Sequence, residues 1–403
     1  MSKNSAKKVY VGMSGGVDSS LSAALLCEAG YDVTGVFMKN WTRDLPGMQC
    51  PWAEDLADAK RVAVQLGIPL RVFDFQTEYK HLVVDYMIRE YRAGRTPNPD
   101  TMCNQEVKFG LFLRAALAEG AEMIATGHYA RVGNNSTRFP SDIQESRHDF
   151  SGQPLESPQE LGLRLKHHSA NQEPDRKNHS DSFESSSNRT ELLRAVDANK
   201  DQTYFLYRIT EAALGRTLFP IGHLTKPEVR AEAERRGLVT AGRRDSQGIC
   251  FVGSVGIRDF LSQFVETAPG DIIEQETGKT VGRHDGAIFY TFGQRHGLSI
   301  GGGLPYYVVS KNMAKNEVYV STNLNSGDFW REELHLTDTH WINAAPEPNK
   351  TYQARLRHRA PLIDCSIEKN LVRLAQAERA VAPGQSAAIY DGEICLGGGV
   401  IAS

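Results

Sequence analysis

Short apolar segments alternate with amphipathic segments across the first third of this 403-residue chain. The strand-like runs are residues 7–13, 31–39, 69–75 and 121–127. The segments with helical periodicity are residues 18–30, 53–67, 76–92 and 104–119. Strands that alternate with helices of this length predict βαβ units and a parallel, doubly wound α/β sheet. Ligands of such sheets bind beyond the carboxyl ends of the strands. The loops at that edge are residues 12–18, 38–52, 97–104 and 126–131.

The composition changes twice along the rest of the chain. Residues 133–190 are rich in Ser, Asn, Gln, Pro and charge, so we expect a largely disordered surface insertion. Helical periodicity follows, and short alternating runs separated by Gly, Asn and Pro then predict an antiparallel β-barrel. We therefore expect three domains. They are the α/β domain over residues 1–215, a small helical domain over 216–275 and a barrel over 276–403.

Bulk composition limits the classes of protein. No apolar run of roughly eighteen residues occurs, so we expect no membrane-spanning helix. Six cysteines in so long a chain are too few for a disulfide framework, which favours a reducing compartment, the cytoplasm. The formal net charge of −3 neither indicates nor excludes a nucleic-acid partner, because it does not reveal a local basic groove. On composition alone, an enzyme of small molecules is the simpler interpretation.

A loop rich in Gly and Ser, VGMSGGVDSS at residues 11–20, follows the first strand and opens the first helix. Gly15 and Gly16 let the backbone approach an anion, and a helix N-terminus favours negative charge. Asp18 would repel a phosphate unless a Mg²⁺ lay between them, so we expect Asp18 to contact the metal. The Gly-Lys-Ser/Thr ending of an ordinary P-loop is absent. A simple Gly-Gly turn with a helix cap is the alternative.

Two cysteines have surroundings suited to reactive thiols. Cys103, in TPNPDTMCNQEVKFG, precedes a predicted helix, where a thiol tends toward thiolate. Asp100 is near enough to be an acid/base partner, although it could instead cap the helix while Cys103 packs. Cys250, in RDSQGICFVG, is flanked by small polar residues that suit mobility, and a packing role is again the alternative. An adenylating loop and two thiols together suggest that ATP activates an oxygen, which sulfur carried as a persulfide then replaces.

Eight segments carry a resemblance to known enzymes. SGGVDSS is similar to the signature of the ATP pyrophosphatases, which adenylate a substrate oxygen and release pyrophosphate. More specifically, the chain resembles the bacterial tRNA 2-thiouridylase family nearly throughout, except at residues 133–190. The matching segments are GMSGGVDSS, GVFMKNW, TPNPDTMCNQEVKFG, ATGHYAR, KDQTYFL, RDSQGICFVG, YTFGQRHGL and RLRHRAP, in that order. The family's pyrophosphatase domain, small helical domain and C-terminal β-barrel agree with the segmentation above.

The resemblance implies a reaction and a role for each matching residue. The wobble uridine of tRNA would become 2-thiouridine through an adenylated intermediate, with release of AMP and pyrophosphate. Cys250 would carry the persulfide, Cys103 would be its partner and nucleophile, and Asp100 would be the acid/base group. The residues implied in ATP binding are Gly12, Met13, Ser14, Gly15, Gly16, Val17, Asp18, Ser19, Met38 and Gly127. The residues implied in tRNA binding are Asn98, Pro99, Asp100, His128, Lys200, Asp201, Gln202, Arg357, His358 and Gln385.

The resemblance further implies ATP with Mg²⁺, the wobble-uridine tRNAs for Lys, Glu and Gln, and a cysteine desulfurase or sulfur-relay donor. The family more often has an aromatic residue at the position of His358. Cys50, Cys103 and Cys250 could instead ligate an iron–sulfur cluster, which we do not favour because their spacing is irregular. We expect the remaining cysteines to pack in the protein interior. They are Cys27, Cys365 and Cys395.

The RLRHRAP segment places Arg355, Arg357 and Arg359 at a spacing of two, which predicts a basic stripe along one strand face. Such a stripe can follow phosphates, and a base that must meet both ATP and a thiol is expected to flip out of its stack. Two other functions stay open. A small-molecule amidating or ligating enzyme would leave the thiol pair unexplained, and a non-catalytic RNA-binding or sulfur-carrier protein would leave the nucleotide loop unexplained.

Overall fold

The computed structural model describes residues 6–44, 50–133, 189–244, 256–301, 304–323, 325 and 329–402. Almost all of the predicted insertion 133–190 lies outside the described residues, and so does Cys250 with its flanking segment. In the part of the chain that the structure describes, no helix is both long and apolar enough to cross a membrane.

Strands and helices follow the order that the sequence predicts over the first third of the chain. The strands are β1 (Lys8–Gly12), β2 (Asp32–Lys39), β3 (Leu70–Asp74), β4 (Met123–Thr126), β5 (Ala130–Gly133), β6 (Glu191–Arg194), β7 (Thr217–Leu218), β8 (Gly270–Glu274), β9 (Thr280–His284), β10 (Tyr307–Asn312), β11 (Glu317–Ser321), β12 (Trp330–Trp341), β13 (Tyr352–Arg355), β14 (Ile363–Glu368), β15 (Leu371–Arg379), β16 (Ser386–Asp391) and β17 (Ile394–Ile401). The α-helices are α1 (Val17–Glu28), α2 (Trp52–Leu66), α3 (Gln76–Tyr79), α4 (Asp85–Arg92), α5 (Pro99–Met102), α6 (Leu113–Ala118), α7 (Thr203–Leu206), α8 (Glu211–Leu214), α9 (Lys226–Arg235) and α10 (Ile257–Leu261). Two π-helical stretches, π1 (Lys80–Val84) and π2 (Cys103–Phe112), join α3 to α4 and α5 to α6.

The N-terminal region is built on a parallel sheet of five strands in the order β3-β2-β1-β4-β7. Alternate residues of β1 face opposite sides of this sheet. Val9 and Val11 share a core with residues of α1 and α2, whereas Tyr10 shares a core with Phe112 of π2. Both faces are therefore covered, which explains why β1 is a continuous apolar run. The doubly wound α/β fold predicted from the alternation is confirmed.

The residues after 270 form two sheets. β8 to β11 make a four-stranded sheet in the order β10-β11-β8-β9. β12 to β17 make an antiparallel barrel, which the pairing of β12 with β17 closes. The predicted C-terminal barrel is confirmed. The alternating pattern did not separate the four-stranded sheet from it, because a period of two identifies strands without specifying which strands pair. The three domain boundaries stay a prediction.

The barrel is attached to the carboxyl edge of the parallel sheet. β5 begins four residues after β4 ends, and β6 pairs with both β5 and the barrel strand β17. A second contact joins the Thr96 amide to the Pro383 carbonyl at 2.9 Å. The segment that follows β4 and the loop that holds Thr96 therefore lie close to the barrel.

Candidate active site

The loop between β1 and α1 is fixed by close backbone contacts. Gly15 has a φ of +76°, and a Cβ atom there would lie 2.5 Å from the Asp55 carbonyl oxygen in α2. A Cβ atom on Gly127, directly after β4, would lie 2.7 Å from the Ser19 amide nitrogen. Side chains cannot be accommodated at these distances without moving the backbone, so both positions require glycine.

Hydroxyl groups brace the same loop from within. The Ser14 amide donates to Ser19 Oγ at 3.1 Å. The hydroxyls of Ser19 and Ser20 donate to the Gly16 carbonyl at 3.1 and 2.8 Å. Gly16 precedes α1 and gives it no side-chain cap. An N-terminus that no side chain caps offers its first amides to an anion, so this loop has the geometry of a phosphate site.

Apolar members of the predicted ATP set lie beneath the loop. Met13, Val17 and Met38 are buried, and the Met13 amide donates to the Val36 carbonyl at 2.8 Å. A Cβ atom on Gly12 would lie 3.1 Å from Met38 Cε. The carboxyl ends of β1 and β2 therefore meet at the position predicted for adenine, and the Met38 contact with adenine stays a prediction.

Asp18 is the charged centre of the loop. Its carboxylate accepts hydrogen bonds from Lys226 Nζ at 2.7 and 2.9 Å and from the Tyr129 hydroxyl at 2.8 Å. Asp18 is therefore one half of an ion pair with Lys226. The described ranges contain no group of three or more metal-ligating side chains, and the contact of Asp18 with a Mg²⁺ carried by the nucleotide stays a prediction.

The second set of predicted residues lies on the helical run over residues 99–118. Asn98 caps it, since its Oδ1 accepts from the Thr101 amide at 3.3 Å, and Pro99 takes the first helical position. Asp100 is half-buried in the first turn, and Cys103 is fully buried at the start of π2. The run begins at Pro99 rather than at residue 104, so Cys103 lies inside the helix and not before it.

Charged residues at the junction with the barrel pair with one another. Asp201 is 1 % exposed, and its carboxylate binds Arg355 Nη1 at 2.7 Å and the Thr203 hydroxyl at 2.9 Å. β13 ends at Arg355, and Arg359 has a φ of +63°, so the three arginines do not form the predicted stripe. We correct both predictions. Asp201 is an interior residue that neutralises a buried arginine, and it is not part of an RNA-facing surface.

The two predicted histidines also differ from each other. His128 is 7 % exposed, and its ring forms a mutually contacting triangle with those of Phe109 and Phe219, so it belongs to the interior as well. His358 is half-buried, and its ring centroid lies 4.6 Å from that of Phe205. Burial lowers the pKa of both rings, with further lowering by Lys108 at His128 and by Arg359 at His358. Only His358 is placed where a nucleotide could reach it.

The remaining predicted tRNA residues divide into two kinds. Lys200 is half-buried and Arg357 is exposed, and both suit an RNA contact. Gln202 instead makes two hydrogen bonds with the backbone of Tyr129: its Oε1 accepts from the Tyr129 amide at 2.8 Å, and its backbone amide donates to the Tyr129 carbonyl at 2.9 Å. Gln385 Nε2 donates to the Thr96 carbonyl at 2.8 Å. The two glutamines therefore fix the backbone at Tyr129 and at Thr96, on either side of the site.

Comparisons with known proteins cover nearly the whole chain. The tRNA methyl transferase HUP domain matches residues 7–151 and 168–254, the tRNA methyl transferase PRC-barrel domain matches 258–322, and the aminomethyltransferase beta-barrel domain matches 331–401. The chain is 42% identical over 405 residues to the tRNA-specific 2-thiouridylase MnmA of Pseudomonas paraeruginosa, with 98% of this chain and 94% of that protein covered. For the protein of the same name from Methylobacillus flagellatus, identity is 40% over 408 residues, with 98% and 99% covered. The chain belongs to the tRNA-specific 2-thiouridylase family.

The surroundings of the described cysteines bear on whether they pack in the interior or ligate an iron–sulfur cluster. Cys50 is buried, its thiol donates to the Trp41 carbonyl at 3.5 Å, and burial raises its pKa. This arrangement fits a packing cysteine, and because Cys250 lies outside the described residues, the iron–sulfur alternative stays a hypothesis. Burial raises the pKa of Cys365 and of Cys395 to about 12, in keeping with the packing role expected for them. Burial also raises the pKa of Cys27.

Sequence reasoning missed Lys226, which pairs with Asp18. Lys226 is the first residue of α9, behind the capping box of Thr225 and Glu228. A cation at a helix N-terminus opposes the helix dipole, so an anionic partner from elsewhere is expected. That conflict was visible in the segment LTKPEVRAEAE and could have identified Lys226 as a candidate site residue.

Proposed function

We propose that this chain is an ATP-dependent tRNA-uridine 2-sulfurtransferase that converts the wobble uridine of tRNA to 2-thiouridine. One observation carries the proposal. The phosphate loop after β1, the Gly127 segment after β4 and the N-terminal end of the helical run that holds Cys103 all lie at the carboxyl edge of the same sheet. That edge is where ligands of doubly wound sheets bind.

The chemistry has two stages. In the first, uridine O2 attacks the α-phosphate of ATP, pyrophosphate leaves, and Asp100 accepts the proton from uridine N3. The amides at the start of α1 and the serine hydroxyls hold the phosphates during this stage. Mg²⁺ would enter with the phosphates of the nucleotide, and Asp18 is the residue that would contact it.

In the second stage, sulfur replaces the adenylated oxygen. The terminal sulfur of a Cys250 persulfide attacks C2, the C2–O bond breaks and AMP leaves. The Cys103 thiolate then attacks the Cys250 sulfur, which breaks the sulfur–sulfur bond to the base and releases 2-thiouridine. A Cys103–Cys250 disulfide results, and an external dithiol must reduce it before the next turnover. Cys103 is buried, so we expect tRNA binding to open its surroundings.

The partners follow from this chemistry. The substrates are the wobble-uridine tRNAs for Lys, Glu and Gln, and a cysteine desulfurase or a sulfur-relay protein supplies the persulfide. The reducing requirement agrees with the cytoplasm. Lys200 and Arg357 would contact the tRNA backbone, Asn98 and Pro99 would adjoin the target base, and His358 would stack on a nucleotide.

The test uses the full chain with unmodified tRNA, ATP, Mg²⁺ and a persulfide source, followed by mass spectrometry of the nucleosides. We expect an exchange of oxygen for sulfur on uridine that requires ATP. Cys103→Ser and Cys250→Ser should each abolish it, whereas Cys27→Ser in α1, the matched control, should not. A methyl gain, or no change to the RNA while ATP is still cleaved, would overturn the proposal.

A further inference from the structure

Lys108 lies on the same helical stretch as the Cys103 thiol. Both belong to π2, in which hydrogen bonds join residues five apart, so Lys108 follows Cys103 by about one turn. Lys108 Nζ lies 3.2 Å from His128 Nε2. The ammonium group is therefore joined to the segment that follows β4.

The His128 ring is held in one protonation state and one tautomer. Its Nδ1 lies 2.8 Å from Thr126 Oγ1, and the rings of Phe109 and Phe219 pack against it. Burial, and then the charge of Lys108, keep the pKa of the ring well below its ordinary value. An ammonium can only donate, so the neutral ring accepts at Nε2 and carries its proton on Nδ1, which donates to Thr126.

This arrangement connects the ammonium to the nucleotide loop through two consecutive residues, Gly127 and His128. Thr126 is the last residue of β4, and Gly127, the next residue, packs against Asp18 and Ser19. The acceptor of Lys108, His128, thus directly follows the glycine whose backbone touches the phosphate loop. Lys108 links the two halves of the site, the phosphate loop and the helix of the thiol.

We propose that Lys108 is a catalytic residue whose ammonium binds the phosphate of the adenylated uridine, and that His128 is the positioning residue that aims it. The inference rests on the proposed function. When the C2–O bond breaks, negative charge grows on the departing AMP phosphate. A fixed ammonium donor stabilises that charge more strongly than it stabilises the ground state.

The experiment compares Lys108→Met and Lys108→Arg with Lys60→Met, a matched control on the exposed face of α2. Single-turnover assays measure pyrophosphate release, AMP release and thiouridine formation, and steady-state assays separate kcat from the KM for tRNA. For Lys108→Met we expect AMP release to slow by about 100-fold, the cost typical of a lost oxyanion donor, with little change in the KM for tRNA. Lys108→Arg should recover part of the rate, and Lys60→Met should match the wild type.

His128→Gln keeps a hydrogen-bond acceptor for the ammonium and should therefore lose less activity than His128→Leu, which has none. An equal loss in both would overturn the positioning role. If Lys108→Met does not fold, Lys108→Gln takes its place. Wild-type rates in a folded Lys108 variant would overturn the inference while the proposed function stands. A wild-type protein that forms no thiouridine would overturn both.

Discussion

The nucleotide loop and the barrel junction each contain an acidic residue paired with a cation, but different interactions hold the two regions together. At the loop, close backbone contacts determine the structure. Gly15 contacts the Asp55 backbone in α2, and Gly127 contacts the backbone of Asp18 and Ser19, at distances where no Cβ atom would fit. At the junction, charge decides it, since Asp201 neutralises Arg355 out of contact with solvent. An acidic residue in a polar motif can therefore serve either a ligand or the fold, and the burial of its side chain distinguishes the two roles.

The largest effect is expected from Asp201→Asn at the junction. Removing one partner of a buried ion pair leaves an uncompensated charge, which costs about 3–5 kcal/mol of the free energy of unfolding. Chemical denaturation checks this, with Asp391→Asn on the barrel surface, where Lys350 is the partner, as control. A stable Asp201→Asn protein that binds tRNA poorly would instead support the original prediction that Asp201 contacts tRNA.

Gly15→Ala tests the loop side of the comparison. The added methyl group must displace the Asp55 backbone from the phosphate loop, so we expect pyrophosphate release to fall by about 100-fold while tRNA binding persists. Gly30→Ala is the matched control, because Gly30 has a similar φ of +80° with nothing within 4 Å of its would-be Cβ atom. Similar activity of both variants would show that the close contact is not required.

Arg357→Ala should have a smaller effect, confined to RNA binding. Arg357 is exposed and donates to the Arg379 and Ala380 carbonyls at 2.5 and 2.6 Å, so its charge lies at the rim of the junction. We expect weaker tRNA binding and a salt dependence whose slope decreases by about one. Arg373→Ala on β15, whose partners are Glu333 and Glu368, is the control. An unchanged salt dependence of tRNA binding would show that Arg357 does not contact the tRNA.

The smallest effect is a dependence of stability on pH. The pKa of His128 is lowered in the folded protein, so the unfolded chain binds more protons below the ordinary histidine pKa of about 6.5. Stability should therefore be full above that value and decrease as the pH falls below it. Denaturation midpoints of wild type and His128→Gln between neutral and mildly acidic pH measure this. An identical dependence of the midpoint on pH in both proteins would contradict this prediction.

Sequence predicted the parallel sheet well because β1 and β2 are buried on both faces and read as continuous apolar runs. It also located the Gly15 loop, since few other arrangements place two glycines between a strand and a helix. It failed at Arg355 and Arg359 because regular spacing says nothing about where a strand ends. The partners of Asp18 and His128 depend on residues 208 and 20 positions away, which local patterns cannot specify.

The most direct test of the central claim follows the uridine oxygen. The tRNA carries a heavy-oxygen label at O2 of the wobble uridine. It is incubated with the full chain, ATP, Mg²⁺ and a persulfide source, and the masses of the products are measured by mass spectrometry. Adenylation at O2 followed by attack of sulfur predicts that the label leaves in AMP and that the uridine gains sulfur. Label found in water or pyrophosphate, or retained in the RNA after AMP has formed, would contradict the account.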